Sequence, residues 1–188
     1  MIETIKVKLQ PFNAEAFKPY GQMLESKRPI FPEVEPGEGR IALELRHIKA
    51  RPEGKRTDQM AVHFSYSQIF IPVHGTLVLI VAPAPRNKEA DPEQYEFDYG
   101  RVAAFVLEPG QAAFVDKGVW HNSFMIGPQC TYINVTRKNP GEGTGVDALG
   151  RVDRIHKRRP YVEFVDLLKR DNRVIELELG SFKELVDG

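Results

Sequence analysis

A chain of 188 residues fits one domain and is long enough to bury a sizeable core. Its 26 lysines and arginines balance 26 aspartates and glutamates, so no global field favours nucleic acid or an anionic membrane. A single cysteine, Cys130, rules out an internal disulfide and suits a reducing compartment.

In chain order, Ile2 to Leu9 alternates apolar and polar residues and reads as a strand, not as the apolar core of a signal peptide. Asn13 is placed to cap a short helix, Ala14 to Phe17, which Pro19 and Gly21 stop. Residues 25 to 40 hold Pro29, Pro32, Pro36 and two glycines and read as a loop. Ile41 to Ile48, which includes Arg46 and His47, alternates again. Beyond Met60 the pattern predicts a strand from Phe64 to Val73, a turn at His74-Gly75 and a strand from Thr76 to Ala82. That last run is apolar on both faces, as in a strand covered on both sides. The longest apolar stretch, Leu77 to Ala84, falls far short of the ~20 residues that span a bilayer. A soluble, cytoplasmic protein without membrane or nucleic-acid partners is expected.

Pro83 and Pro85 end this run, and Arg86 to Glu96 reads as a polar loop. Arg101 to Leu107, Gln111 to Val115 and Thr131 to Thr136 are further short strands, separated by Pro109-Gly110, Lys117-Gly118 and Gly127-Pro128. Such spacing predicts an all-β sandwich or barrel, with Cys130 a small core hydrophobe. Asn139 to Gly150 contains four glycines and a proline and reads either as a lid over a barrel mouth or as a plain surface excursion. Lys157-Arg158-Arg159, beside His156, reads as a solvated loop. Tyr161 to Lys169 has the spacing of a short amphipathic helix, Arg173 to Leu179 that of an added strand, and Ser181 to Val186 that of a last helical turn.

Chemistry concentrates in two segments. Gly110 to Asn122 combines an apolar strand, a turn at Lys117-Gly118, and His121 next to the only tryptophan, Trp120. His63-Phe64-Ser65-Tyr66-Ser67-Gln68 ends seven residues before Gly75. Two imidazoles and an amide brought together by neighbouring strands make a candidate active site, since histidine titrates near pH ~6.5 and serves as base or acid. The alternative for His63 is a core histidine with both nitrogens hydrogen-bonded. His74 and His156 read as exposed, and His47 as a lesser candidate.

The spacing His63, Gln68, Gly75 and the run Gly110, Asp116, Gly118, His121 resemble the two cupin motifs, with Ala61 for the first histidine, Gln68 for a glutamate and Asp116 for a proline. Within the cupins, residues 14 to 21 (AEAFKPYG), 67 to 75 (SQIFIPVHG) and 118 to 121 (GVWH) look like the ureidoglycolate lyase family, over about Leu9 to Arg137. The resemblance implies an all-β cupin-type double-stranded β-helix, a jelly-roll barrel, with short flanking helices. A single domain over residues 1 to 188 is expected, with the barrel core at 41 to 137, a loop at 138 to 160 and a C-terminal extension at 161 to 188. It also implies a homodimer formed by lending the strand Ile2 to Leu9.

The activity implied is cleavage of ureidoglycolate to glyoxylate and urea, in purine and allantoin nitrogen catabolism. A base takes the hydroxyl proton, the carbonyl forms, and an acid protonates the departing urea nitrogen. His63, His121 and Asp116 are the candidates for these transfers, with Gln68 hydrogen-bonding the substrate and Arg137 or Lys117 holding its carboxylate. The four cupin metal positions read Ala61, His63, Gln68 and His121. Alanine supplies no donor and glutamine no charge, so no cofactor is expected; a weak divalent site on His63, Gln68 and His121 is the alternative. Against the family pattern, Asp116 and Asn122 replace histidines and Thr136 precedes Arg137 in place of aspartate. Asp116 would then orient His121 or act as base itself. Those departures leave two rival readings: an enzyme acting on another small α-substituted acid, and a non-catalytic cupin that binds a small ligand.

Overall fold

The computed structural model describes residues 1–32, 40–50, 54–87, 94–138, 163–180 and 182. Strands dominate: β1 (Glu3–Pro11), β2 (Gly21–Met23), β3 (Arg40–Lys49), β4 (Arg56–Thr57), β5 (Gln59–Val62), β6 (Gln68–Ala82), β7 (Ala103–Leu107), β8 (Ala113–Val115), β9 (Trp120–Lys138), β10 (Glu163–Asp166) and β11 (Arg173–Glu178). Two short helices, α1 (Ala14–Phe17) and α2 (Leu167–Asp171), flank them. The strands form one mixed sheet ordered β10-β5-β9-β6-β7-β1-β11-β4, with β3 on β9 and β8 bridging β2 and β6. The architecture is the expected all-β, cupin-type barrel. Among the described residues no helix is long and apolar enough to cross a membrane.

The spine is the antiparallel pair β6 and β9, aligned from Ile69↔Val135 to Ala82↔Trp120. The turn expected at His74-Gly75 is instead a bulge inside one 15-residue strand, with register shifts between Pro72 and His74 and between His74 and Thr76. Gly75 has φ +72°, and a Cβ there would lie 2.4 Å from the Gln129 carbonyl oxygen. The chain bends sharply at Gly75 without reversing. Likewise Gly127 (φ +89°) and Pro128 lie within the 19-residue β9 rather than ending it. Alternation along this pair of strands lets it face two cores. Val78, Ile80 and Trp120 fill one, and Leu77, Leu79 and Phe105 the other, as a strand apolar on both faces requires.

Asn13 caps α1 as its sequence predicts, its side-chain oxygen accepting from the Ala16 amide at 2.9 Å, a contact worth about 1 kcal/mol. This short turn drives Phe17 into the second core, edge-on to Phe12 and Phe105. The strand expected from Phe64 starts only at Gln68, because the His63 carbonyl accepts from the Gly118 amide at 2.6 Å and draws residues 63–65 out of the ladder. The helix expected over 161–169 is corrected as well. Residues Glu163 to Asp166 pair antiparallel with β5, burying Val165 opposite Met60, and only from Leu167 does the chain coil. Asp166 caps that turn and Asn172, at φ 56°, stops it. The predicted last strand is present as β11, parallel to β1 from Glu3↔Arg173 to Lys8↔Glu178. β1 pairs with β11 on one side and β7 on the other.

β3 alternates as its sequence predicts, with Ala42, Glu44 and Arg46 partly covered while Ile41, Leu43 and Leu45 stand 61%, 74% and 61% exposed on its outer side. The candidate lid at 139–150, His156, the basic cluster at 157–159, Tyr161 and the last turn (Ser181 and 183–186) lie outside the described residues, as does part of the loop at 25–40.

Candidate active site

The Asp116-Lys117-Gly118 turn sets the geometry. Gly118 adopts φ +80° and donates its amide to His63, while the Val119 amide returns to the Asp116 carbonyl at 3.3 Å. β9 begins immediately afterwards, so Trp120 and His121 fall on opposite faces. Trp120 packs against Tyr95 and Phe97 in the first core. His121 turns toward Phe70 and His63, with ring centroids 5.8 Å and 4.9 Å away.

The predicted trio converges. Gln68 Oε1 lies 2.6 Å from His63 Nε2 and 2.9 Å from His121 Nε2, and all three residues are at most 7% exposed. His121 Nδ1 faces the Val119 carbonyl at 2.9 Å. His63 stacks on Tyr66 with centroids 4.4 Å apart. Burial pulls the His121 imidazole down to about 4, against the opposing pull of the Val119 carbonyl, so the ring is neutral at physiological pH.

Behind Gln68 runs a polar chain that the sequence did not announce. Gln68 Nε2 donates to Asn134 Oδ1 at 2.5 Å, and Asn134 Nδ2 donates to Glu44 Oε2 at 2.9 Å. Arg46 approaches the same carboxylate at 2.6 Å, and Lys138 pairs with its other oxygen. Burial alone would raise the Glu44 carboxyl, yet Arg46, Lys138 and Asn134 together hold it below its ordinary value, which keeps it ionised. β3 and β9 bring this about by register: Glu44↔Asn134 and Arg46↔Tyr132 are directly opposed. Asn134 is 1% exposed, so the chain passes through the protein interior.

Two expectations change. Asp116 is exposed on the turn, and both ring nitrogens of His121 face Val119 and Gln68, so Asp116 does not orient that ring. Although Asp116 is exposed, partial desolvation in the turn raises its carboxyl above the ordinary aspartate value. Arg137 sits opposite Ile41 on β3, on the other face of β9 from Asn134 and Thr136. Among the described residues, Arg46 and Lys138 are cations on the site's own face. Lys117 is half-buried in the turn before His121. Period-two counting from Asn134 would have found Lys138, but linking β3 to β9 needs a register set across some ninety residues of chain (Glu44 to Asn134). Asn122, which replaces a family histidine, clamps the barrel edge by donating to Thr57 Oγ1 at 3.0 Å and the Gln59 carbonyl at 2.6 Å.

His47 is exposed and contacts Thr131 Oγ1 at 2.9 Å, and His74 is exposed. Cys130 is buried, with its thiol pushed up to about 12, and carries no chemistry. The donors available to a cation are two imidazole nitrogens and one neutral amide oxygen, with Ala61 contributing none. Such a set brings no negative charge to a hard dication, and the nearby Glu44 is committed to Arg46 and Lys138. The residues therefore fit a divalent metal poorly. Among the described residues no three histidine, cysteine, aspartate or glutamate side chains group to hold one.

A family model described as ureidoglycolate lyase matches residues 4–149. A protein named ureidoglycolate lyase from Rhodobacter capsulatus is 26% identical over 152 residues, covering 72% of this chain and 89% of that protein. Among solved structures, a dTDP sugar isomerase from Desulfovibrio desulfuricans aligns over 69% of this chain and 84% of its own, at 17% identity and a TM-score of 0.39. A likeness that low carries no weight for function.

Proposed function

The chain belongs to the ureidoglycolate lyase family, and from that premise we propose that it cleaves ureidoglycolate to glyoxylate and urea by acid–base retro-addition at His63 and His121. The observation that carries this reading is the convergence of both Nε2 atoms on Gln68 Oε1 within 2.9 Å, in an interior with a neutral His121. The hydroxyl O–H of the substrate breaks as its proton moves to an imidazole. Its electrons form the new carbonyl, the C–N bond breaks, and the urea nitrogen takes a proton as it leaves. Expelling anionic urea would be far costlier, so a protonated group beside that nitrogen is indispensable.

Lys117, in the turn before His121, is the cation this reading assigns to the substrate carboxylate in place of Arg137, since Arg46 and Lys138 hold Glu44. No metal is assigned to the chemistry, for the donor-set reason above. A carbon–nitrogen lyase of purine and allantoin nitrogen catabolism, cytoplasmic and homodimeric, completes the proposal. The exposed Asp116, where the family commonly has a histidine, favours the second reading of a different small α-substituted acid as substrate.

With racemic ureidoglycolate, the protein should release glyoxylate and urea faster than the compound decays on its own. His121→Ala, shown folded by circular dichroism, should lower that rate by ~10²-fold. No rate above spontaneous decay, together with turnover of another α-substituted acid, would replace ureidoglycolate with that acid.

A further inference from the structure

We infer that Glu44 is a positioning residue that, through Asn134 and Gln68, decides where the protons sit on His63 and His121. The inference rests on the proposed reading and assigns a separate role to each histidine.

Hydrogen-bond polarity is passed along the chain from Glu44 to the two histidines. A carboxylate only accepts, and Glu44 is kept ionised by Arg46 and Lys138. Asn134 must therefore turn its NH₂ toward Glu44, which leaves Oδ1 facing Gln68. Gln68 must in turn offer its NH₂ to Asn134, which leaves Oε1 facing both histidines. An amide drawn in isolation can be flipped; this one is fixed by a charge two links away. Oε1 can only accept, so the 2.6 Å contact to His63 places a hydrogen on its Nε2.

His121 meets an acceptor at each nitrogen, the Val119 carbonyl at Nδ1 and Gln68 Oε1 at Nε2. A neutral ring has one N–H. Oε1 has a second lone pair but already holds the hydrogen of His63, whereas a hydrogen on Nδ1 gives the fixed Val119 carbonyl a donor, so the hydrogen of His121 is placed on Nδ1. Nε2 of His121 is then an empty acceptor pointing at another acceptor, a position short by one proton. A proton arriving there gains a hydrogen bond to Gln68 Oε1 at once.

This geometry makes His121 the proton carrier once the substrate hydroxyl takes the place of Gln68 Oε1 in front of its Nε2. Its Nε2 takes the proton of the substrate hydroxyl, the carbonyl forms, the C–N bond breaks with its electron pair on the urea nitrogen, and the same Nε2–H is handed to that nitrogen. The ring ends neutral, so no co-reactant is needed. His63 stays protonated on Nε2 and holds Gln68 in place, and it stacks on Tyr66, whose hydroxyl accepts from Thr136 Oγ1 at 3.3 Å.

The test is long-range proton–nitrogen NMR of protein labelled with ¹⁵N-histidine near neutral pH, on wild type, Glu44→Gln and the double variant Glu44→Gln/Asn134→Asp. Wild type should show His63 protonated on Nε2 and His121 on Nδ1. Glu44→Gln lets both amides turn, so His63 should lose the hydrogen on Nε2 and kcat should fall ~10-fold or more. The double variant exchanges carboxylate and amide along the chain, restores the polarity, and should restore both the wild-type hydrogen placement and most of kcat. A wild type with His63 Nε2 unprotonated, or with His121 protonated on Nε2 alone, overturns the inference whether or not the variants fold. So does hydrogen placement that is identical in all three proteins. If the placements follow the expected pattern while wild type leaves ureidoglycolate intact, the relay stands and the substrate assignment is what fails.

Discussion

Two polar clusters cross the strands of this barrel, one around Gln68 and one around Asp171, and they are built to different ends. Around Asp171 every polar group meets its opposite. The carboxylate accepts from Tyr99 Oη at 2.6 Å and from Arg170 Nε and Nη2 at 2.9 Å and 2.5 Å. Arg170 also donates to the Tyr95 carbonyl at 2.7 Å. Arg173 covers the Tyr99 ring at 4.5 Å while pairing with Glu3 at 2.7 Å, which ties β11 and α2 to β1 and the barrel wall. Burial, reinforced by the Asp171 carboxylate, pushes the Tyr99 hydroxyl up, so it stays a donor. Around Gln68 the same kinds of contact leave His121 one proton short. A closed cluster holds structure together, and a cluster lacking one proton is ready to move one.

The difference is open to substitution at either cluster, and the largest effect is expected at Gln68. Gln68→Leu removes the acceptor shared by both imidazoles and leaves Asn134 Oδ1 buried without its donor. Catalytic rate should drop by ~10²-fold, and stability by about 1–3 kcal/mol in urea unfolding. At the other cluster Tyr99→Phe should cost about 1 kcal/mol of stability and leave kcat unchanged. A comparable loss of rate in Tyr99→Phe would show that the two clusters are not separate in function.

Much of this was legible in the chain because it depends on local chemistry. The Asn13 cap, the alternation of β1, β3 and β11, and the His63, Gln68 and His121 spacing all lie within short windows. What stayed hidden depends on pairing between distant segments. A positive-φ glycine looks the same in a turn and in a bulge, and only the alignment of β6 with β9 separates them at Gly75. The apolar residues at 164 and 165 suit a helix until β5 offers an edge to pair with. Arg137 was the nearer cation in sequence, yet the alternation of β9 turns it to the face of Ile41 and leaves Arg46 and Lys138 beside Glu44. The smallest effect follows: Arg137→Ala should leave KM within about twofold, where a residue holding the carboxylate would raise it well beyond that.

The central claim, that a buried neutral His121 takes the reaction's proton, is tested most directly by the pH dependence of kcat/KM on ureidoglycolate. Burial lowers the imidazole to about 4 in the free protein, so the ring stays able to accept a proton well below the ~6.5 of an ordinary histidine. The account predicts a rate that is flat through neutral pH and falls only as the pH approaches about 4, while circular dichroism shows the fold intact. An acid limb centred at ~6.5 would mean that an ordinary, solvated histidine is the base, and would contradict the account.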